Sequence, residues 1–240
     1  MDVTWEDCGW ERLGPDVGRR RLPTWDATVG LVVGEGTALL FDTGSSLREG
    51  AEIRAQAEQL VGRRVTHIAL SHPHFDHVLG TAVFSGTEVY GAAGLDALFA
   101  RGADELASDA VRQGVPETEA AEAADLLVRP HHAVCGEWTL DLGGGRQVLL
   151  ANIGPAHSGH DLVAVVSTTP PIVFCGDLVE ESGEPQAGPD AVPAQWPAAL
   201  DRLLALGGED ARYVPGHGAV VDAAFVRAQR DALAARIVVS

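Results

Sequence analysis

Short apolar runs bounded by glycine, proline and acidic turns recur along the chain, and between them apolar residues return at helical spacing. Residues 27–33 and 37–42 are two such runs joined by Gly34-Glu35-Gly36, and together they predict a β-hairpin. Residues 46–61 put Leu47, Ala51, Ile53, Ala57 and Leu60 on one helical face, with Gly62 as the stop. A strand over 65–70, a helix from Val78 to about Phe84, a strand over 87–91 and a helix over 94–101 follow. Strand and helix in alternation argue for an α/β fold. Residues 102–128 break this rhythm with two Ala-, Glu- and Asp-rich helical patterns, 103–113 and 117–128, on either side of Gly114-Val115-Pro116. They read as part of a helical insertion at about 94–130. Its charges form a solvated face or, on a second reading, a lid or substrate wall. Strands resume at 131–134, 137–140, 147–153, 162–167 and 172–175. A loop over 181–193, a helix over 196–206, a strand over 212–214 and a helix over 222–237 complete the order. The first two dozen residues are mixed and Gly/Pro-punctuated, and no element is predicted there.

Composition narrows the class. The 240 residues suffice for one large α/β domain, expected here to span 1–240. Seventeen basic against 34 acidic residues give a net charge of −17, unsuited to a phosphate backbone. The compact basic cluster Arg19-Arg20-Arg21 is expected to be an exposed turn, and no nucleic-acid partner is expected. Three cysteines at long spacings, Cys8, Cys135 and Cys175, suggest no disulfide framework. The acidic N-terminus does not read as a secretory signal, and no stretch nears the roughly 18 apolar residues of a membrane span. A reduced, cytoplasmic protein without membrane contact is the expectation.

The chemistry concentrates in Ser71-His72-Pro73-His74-Phe75-Asp76-His77, directly after a buried strand. Three imidazoles and a carboxylate beside apolar sequence would be poorly tolerated unless they bound something, so the heptad reads as a metal site. Three more strand ends carry a His or Asp beside glycine: Gly154-Pro155-Ala156-His157, Cys175-Gly176-Asp177 and Pro215-Gly216-His217. A catalytic zinc takes three protein ligands and keeps one position open. Five histidines and two aspartates are therefore too many for one such ion and suit two that share a carboxylate. Asp42, at the end of the returning hairpin strand, is either a turn residue or a carboxylate supporting the site. His131 and His132 read as ordinary strand or surface histidines. Cys175 lies two before Asp177, which by strand alternation puts it on the same side. Tyr213 reads as a core aromatic, with an oxyanion contact as the alternative.

The ordered set resembles the metallo-β-lactamase superfamily of metal-dependent hydrolases. The resemblance rests on His72-Pro73-His74-Phe75-Asp76-His77, Asp42-Thr43-Gly44, Gly154-Pro155-Ala156-His157-Ser158, Gly176-Asp177 and Pro215-Gly216-His217-Gly218, over residues 27 to 220. It implies an α/β, four-layer αββα sandwich of two mixed sheets with the site at one edge. His72, His74 and His157 would hold one metal, Asp76, His77 and His217 a second, and Asp177 would bridge them. Two Zn(2+) are implied, with iron or manganese as alternatives, and Asp76 is the candidate proton carrier. Many relatives have a glycine three positions after the His157 equivalent. Here it is His160, so either Gly159 takes over the turn or His160 enters the cleft. The expected activity is hydrolysis of a small acyl substrate: a lactone, thioester, ester or β-lactam. Alternatives within the same superfamily are a mononuclear-iron oxidoreductase of the persulfide dioxygenase type and a phosphodiesterase.

Overall fold

Adjacent residues of single strands feed different cores, and this builds the layers. The computed structural model describes residues 4–239. In β3 (Thr28–Val33) Leu31 packs with the helices on one side, and Val32 packs toward a second sheet on the other. In β4 (Ala38–Phe41) Leu40 joins Leu31, while Leu39 and Phe41 join Val32. With β1 (Glu11–Gly14), β2 (Val17–Arg21), β5 (His67–Ala69), β6 (Glu88–Ala92) and β7 (His132–Val134) these strands form a seven-stranded sheet in chain order. It is antiparallel from β1 to β4 and parallel from β4 to β7. The second sheet runs β12 (Arg212–His217), β11 (Ile172–Glu180), β10 (Leu162–Val166), β9 (Gln147–Asn152), β8 (Glu137–Asp141). Only its β11–β12 pair is parallel.

Period-2 alternation in β10 repeats the logic. Leu162, Ala164 and Val166 face the first sheet, while Val163 and Val165 meet α6 (Trp196–Gly207) and α7 (Ala223–Val239). The Phe41 and Phe174 rings stack across the sheet interface at 5.6 Å. Outside the first sheet lie α1 (Leu47–Val61), the single turn α2 (Phe75–Val78), α3 (Leu95–Phe99), α4 (Ala103–Arg112) and α5 (Glu117–Asp125). The result is helices, sheet, sheet, helices.

Local signals account for α1. Ser46 caps it by accepting from the Glu49 amide at 3.2 Å, and Glu49 reaches back to the Ser45 amide and hydroxyl, both at 2.8 Å. That exchange seats the turn after β4. Thr43 N–H then donates to His77 O at 2.8 Å, which ties the turn to α2.

Four expectations change. Residues 11–21 form the β1–β2 hairpin, and Arg19-Arg20-Arg21 lies in β2, not in an exposed turn. Arg19 is 3% exposed because Glu11 offers Nε a carboxylate at 2.7 Å and Gly218 O accepts from Nη1 at 2.8 Å. The helix expected over 78–84 is replaced by α2 and a separate 3₁₀ turn, Thr81–Val83. There Thr81 Oγ1 bonds Val78 O at 2.7 Å and contacts Thr43 Oγ1 at 2.9 Å, so the chain bends to dock the β4 turn. Strand β11 runs five residues past 175, and Asp177 lies within it. The helices of the 94–130 region pack apolar faces (Leu95, Phe99, Leu106, Ala110, Ala120) into the core beneath the first sheet. Among the described residues no helix is long and apolar enough to cross a membrane.

Candidate metal centre

The chain ends of β4 and β5 point to one edge of the sandwich, and β11 and β12 run in parallel to that edge from the other sheet. The heptad leaves β5 there. Phe75 anchors it edge-on against Trp25 at 5.1 Å. On the opposite sheet, Gly176 pairs with Pro215 but Glu180 pairs with His217, so β11 spends four residues where β12 spends two. This bulge aims Asp177 inward. Gly176 permits it with φ +54°, where a side chain would also press on Ser71, 2.8 Å from the Cβ position. Gly216 must be glycine too, because a Cβ would sit 1.8 Å from Asp177 Oδ1.

The seven sequence-predicted residues fall into two ligand-competent groups. Ligating atoms of His72, His74, His157 and Asp177 lie within 4.8 Å of one another, as do those of Asp76, His77 and His217. Asp177 stands between them. Its Oδ2 is 3.5 Å from both His72 Nε2 and His157 Nε2 and 3.3 Å from His217 Nε2, while Oδ1 is 3.2 Å from His77 Nε2. Asp76 Oδ2 is 3.4 Å from His217 Nε2 and 3.6 Å from His77 Nε2.

The outward nitrogen of every ring is committed to an oxygen. His77 Nδ1 donates to Asp42 Oδ2 at 2.9 Å, His157 Nδ1 to Gln186 O at 3.0 Å and His217 Nδ1 to Trp25 O at 2.7 Å. His74 Nε2 donates to Asp190 at 3.1 Å. Ser71 Oγ gives its proton to Asp42 at 2.7 Å, so it accepts from His72 Nδ1 at 2.8 Å. Such partners set the tautomer and leave the opposite nitrogen as a lone pair. Five lone pairs therefore face inward: Nε2 of His72, His77, His157 and His217, and Nδ1 of His74.

Those inward atoms do not satisfy one another. His72 Nε2, His77 Nε2 and Asp177 Oδ1 are buried without any hydrogen-bond partner, although His77 Nε2 and Asp177 Oδ1 are only 3.2 Å apart. His157 Nε2 and His74 Nδ1 face each other at 3.0 Å. Buried polar groups left this way are costly, and acceptors crowded together need a positive centre among them. The donor set of imidazole and carboxylate suits a divalent transition metal.

Electrostatics agrees with a site that protons and a metal would contest. Burial drives His157 down to about 4 and His72 well below the usual histidine range, against the pull of Asp177. At His217 burial is outweighed by the charge and hydrogen bond of Asp177, which hold the ring at about 9. Burial resists ionisation of Asp177, yet the neighbouring His77, His72 and His217 hold it well below the carboxylate range.

All seven sequence-predicted residues, His72, His74, Asp76, His77, His157, Asp177 and His217, meet at this edge. Asp42 is both of the things it was expected to be. It takes φ +65° at the strand end, and its carboxylate also serves Ser71 and His77. Three other candidates lie away. His160 Nδ1 donates to Ala93 O at 3.1 Å beside Gly94. Cys175 packs among the α6–α7 side of the second sheet, its Sγ toward Val173 O at 3.3 Å, because the bulge at Gly176 interrupts the alternation that would have placed it with Asp177. Tyr213 is a core aromatic whose hydroxyl donates to Gly208 O at 2.8 Å. His131 lies just before β7, its Nδ1 accepting from the Val89 amide at 3.2 Å, and His132 in β7 meets Glu88 at 2.7 Å.

Several supporting residues were missed. Ser71 stood directly before His72, but a serine there carries no distinctive signal. Asp161, which holds the His157 loop through the Ala156 amide at 2.9 Å and Ser158 Oγ at 2.6 Å, was legible only as one acid in a turn. Asp190 and Gln186 lie in the loop expected over 181–193, where nothing local marks them as partners of His74 and His157. Glu180 lies at the loop's edge, and one of its carboxylate oxygens forms a third group with Asp177 and His217.

A sequence profile of the metallo-beta-lactamase superfamily matches residues 22–217. The fold is similar to the metallo-beta-lactamase FIM-1 from Pseudomonas aeruginosa, solved in its mono-zinc form, with a TM-score of 0.72 at 18% identity over 100% of this chain and 98% of that one. It is similar also to the metallo-beta-lactamase DIM-1 exposed to ceftazidime, with a TM-score of 0.72 at 16% identity, covering 95% and 96% of the two chains. A metallo-beta-lactamase from Hirschia baltica gives a TM-score of 0.66 at 16% identity, covering 93% and 96%. At these identities the likeness is one of fold.

Proposed function

The chain belongs to the metallo-beta-lactamase superfamily of metal-dependent hydrolases, and from that we propose a dinuclear, zinc-loaded hydrolase of a small acyl substrate. The candidate substrates are a lactone, thioester, ester or β-lactam. The observation that carries this reading is the set of five inward lone pairs, each secured by an outward hydrogen bond and divided into two groups about Asp177.

His72, His74 and His157 would hold the first ion, Asp76, His77 and His217 the second, with Asp177 shared. Bound there, the pair would supply a water acidified from a pKa of about 15.7 toward about 7, and a Lewis acid for the substrate oxygen. The protein's own work is orientation and proton transfer. Asp42 and the Trp25 carbonyl fix the His77 and His217 rings, so neither must reorganise during the reaction. Asp76, beside His77 and His217 at the start of α2, receives the proton of the attacking water and delivers it to the leaving group. The net charge of −17 favours a small substrate over a polyanion.

The test is metal content together with a substrate panel. Two zinc equivalents and turnover of one acyl class, abolished in His74→Ala, are expected. Retained turnover in His74→Ala would sink the assignment. One iron with oxygen uptake on a persulfide would replace hydrolysis with oxidation, and cleavage of RNA would replace the acyl substrate.

A further inference from the structure

We propose that Glu180 is a further metal ligand, which turns the second half-site into an oxygen-rich site for a hard divalent cation such as Mn(2+). The inference rests on the two-metal reading above.

The bulge that aims Asp177 also returns the chain at Glu180, opposite His217. A carboxylate oxygen of Glu180, one of Asp177 and a ring nitrogen of His217 lie within 4.8 Å of one another. Glu180 is 6% exposed, and among the described residues no Lys, Arg or His lies within salt-bridge distance of it. One oxygen, Oε1, accepts from Ser182 Oγ at 2.5 Å. A buried carboxylate needs a cation or several donors to stay ionised. Beside it, Asp177 Oδ1 is equally buried and has no donor at all. A metal ion held by Glu180, Asp177 and His217 together would serve both acids.

The placement is held from outside the site. Gln229 of α7 accepts from the Glu180 amide at 3.0 Å and donates to Leu178 O at 2.7 Å, and Trp196 Nε1 donates to the same carbonyl at 3.0 Å. The bulge is thus pinned to two helices.

Glu180 adds a third carboxylate to the second half through His217, which it meets together with Asp177 and which Asp76 and His77 also meet. The first offers three imidazoles and the shared Asp177. Oxygen-rich sets with more than four ligands favour manganese and similar ions, whereas compact imidazole sets favour zinc. The two halves should therefore sort metals differently.

The experiment titrates metal-free wild type and Glu180→Gln with Zn(2+), Mn(2+) and Co(2+), following heat and the visible absorption of bound cobalt. Wild type should take two equivalents, the second accepting Mn(2+) and giving the weak cobalt bands of high coordination. In Glu180→Gln the first equivalent should be unchanged and the second weakened at least tenfold, with stronger cobalt bands as the coordination number falls. Metal-free Glu180→Gln should melt no lower than metal-free wild type, since a buried charge is removed, which separates metal loss from unfolding. Two equivalents bound with wild-type affinity and spectrum in Glu180→Gln would overturn the role of Glu180 and leave the two-metal reading standing. A single equivalent in wild type would overturn both.

Discussion

The two halves of the centre have similar ligands but different supports. The first half, His72, His74 and His157, draws two of its outer partners from the loop between β11 and α6: the Gln186 carbonyl and the Asp190 carboxylate. Asp190 is 43% exposed by its side chain, and His74, at 24%, is the most open of the five candidate ligand rings. The second half, Asp76, His77 and His217, leans on Asp42, 1% exposed, and on the Trp25 carbonyl. One support is a surface loop and the other is the frame of the first sheet. Removing an exposed partner returns its mate to water and costs about 0–1 kcal/mol, whereas a buried donor stranded in the core costs about 1–3 kcal/mol. The second half should therefore be the rigid one, and the first should yield.

The largest effect should come from the residue both halves share. Asp177→Ala should release both metal equivalents and lower kcat/KM by about 10³-fold or more, roughly 4 kcal/mol of transition-state stabilisation. Retention of either equivalent at wild-type affinity would show that the halves do not depend on a common bridge.

A paired comparison tests the supports directly. Asp42→Ala strands His77 Nδ1, the Ser71 amide and the Ser71 hydroxyl, and leaves alanine at φ +65°. Second-equivalent affinity should fall by about 10–100-fold, with a clear drop in melting temperature. Asp190→Ala should weaken the first equivalent by less than about tenfold and leave the melting temperature near wild type. Equal effects in the two variants would erase the distinction between loop and frame.

A smaller effect is expected from pH. In the metal-free protein Asp177 raises His217 to about 9, above the unfolded value near 6.5. Its folded state then binds the extra proton. The resulting stability is fully present below about 6.5 and is lost as pH rises through about 9. Metal must displace that proton, so metal affinity rises across the same window. Melting with and without chelator should show a gap that widens from pH 6.5 to 9, and a gap that narrows would place the metal away from His217.

The smallest effect belongs to His160. Its ring contacts Ala93 O and no ligand group, so His160→Ala should leave both equivalents in place and kcat/KM within about twofold of wild type. Loss of a metal equivalent would put this ring back in the cleft.

Much of this is legible in the amino-acid sequence. The hairpin at 27–42, helix α1 with its Gly62 stop, and the strand before the heptad were plain because their signals are local. The N-terminal hairpin was missed because Arg19-Arg20-Arg21 looks polar, and nothing nearby announces that Glu11 and Gly218 O will bury Arg19. The extent of β11 was missed for the same reason. Gly176 reads as an end, and only the pairing with β12 makes it a bulge inside a longer strand.

The amino-acid sequence alone determined which side chains could bind metal, because imidazole and carboxylate chemistry belongs to residue type and the ligands cluster at strand ends. Tertiary structure decided which nitrogen of each ring faces inward, since two of the deciding partners, Trp25 O and Gln186 O, are backbone carbonyls that every residue possesses. It also decided that Glu180 joins His217, because that meeting depends on four residues of β11 spanning the length of two on β12, a register set by long-range pairing that no local pattern encodes.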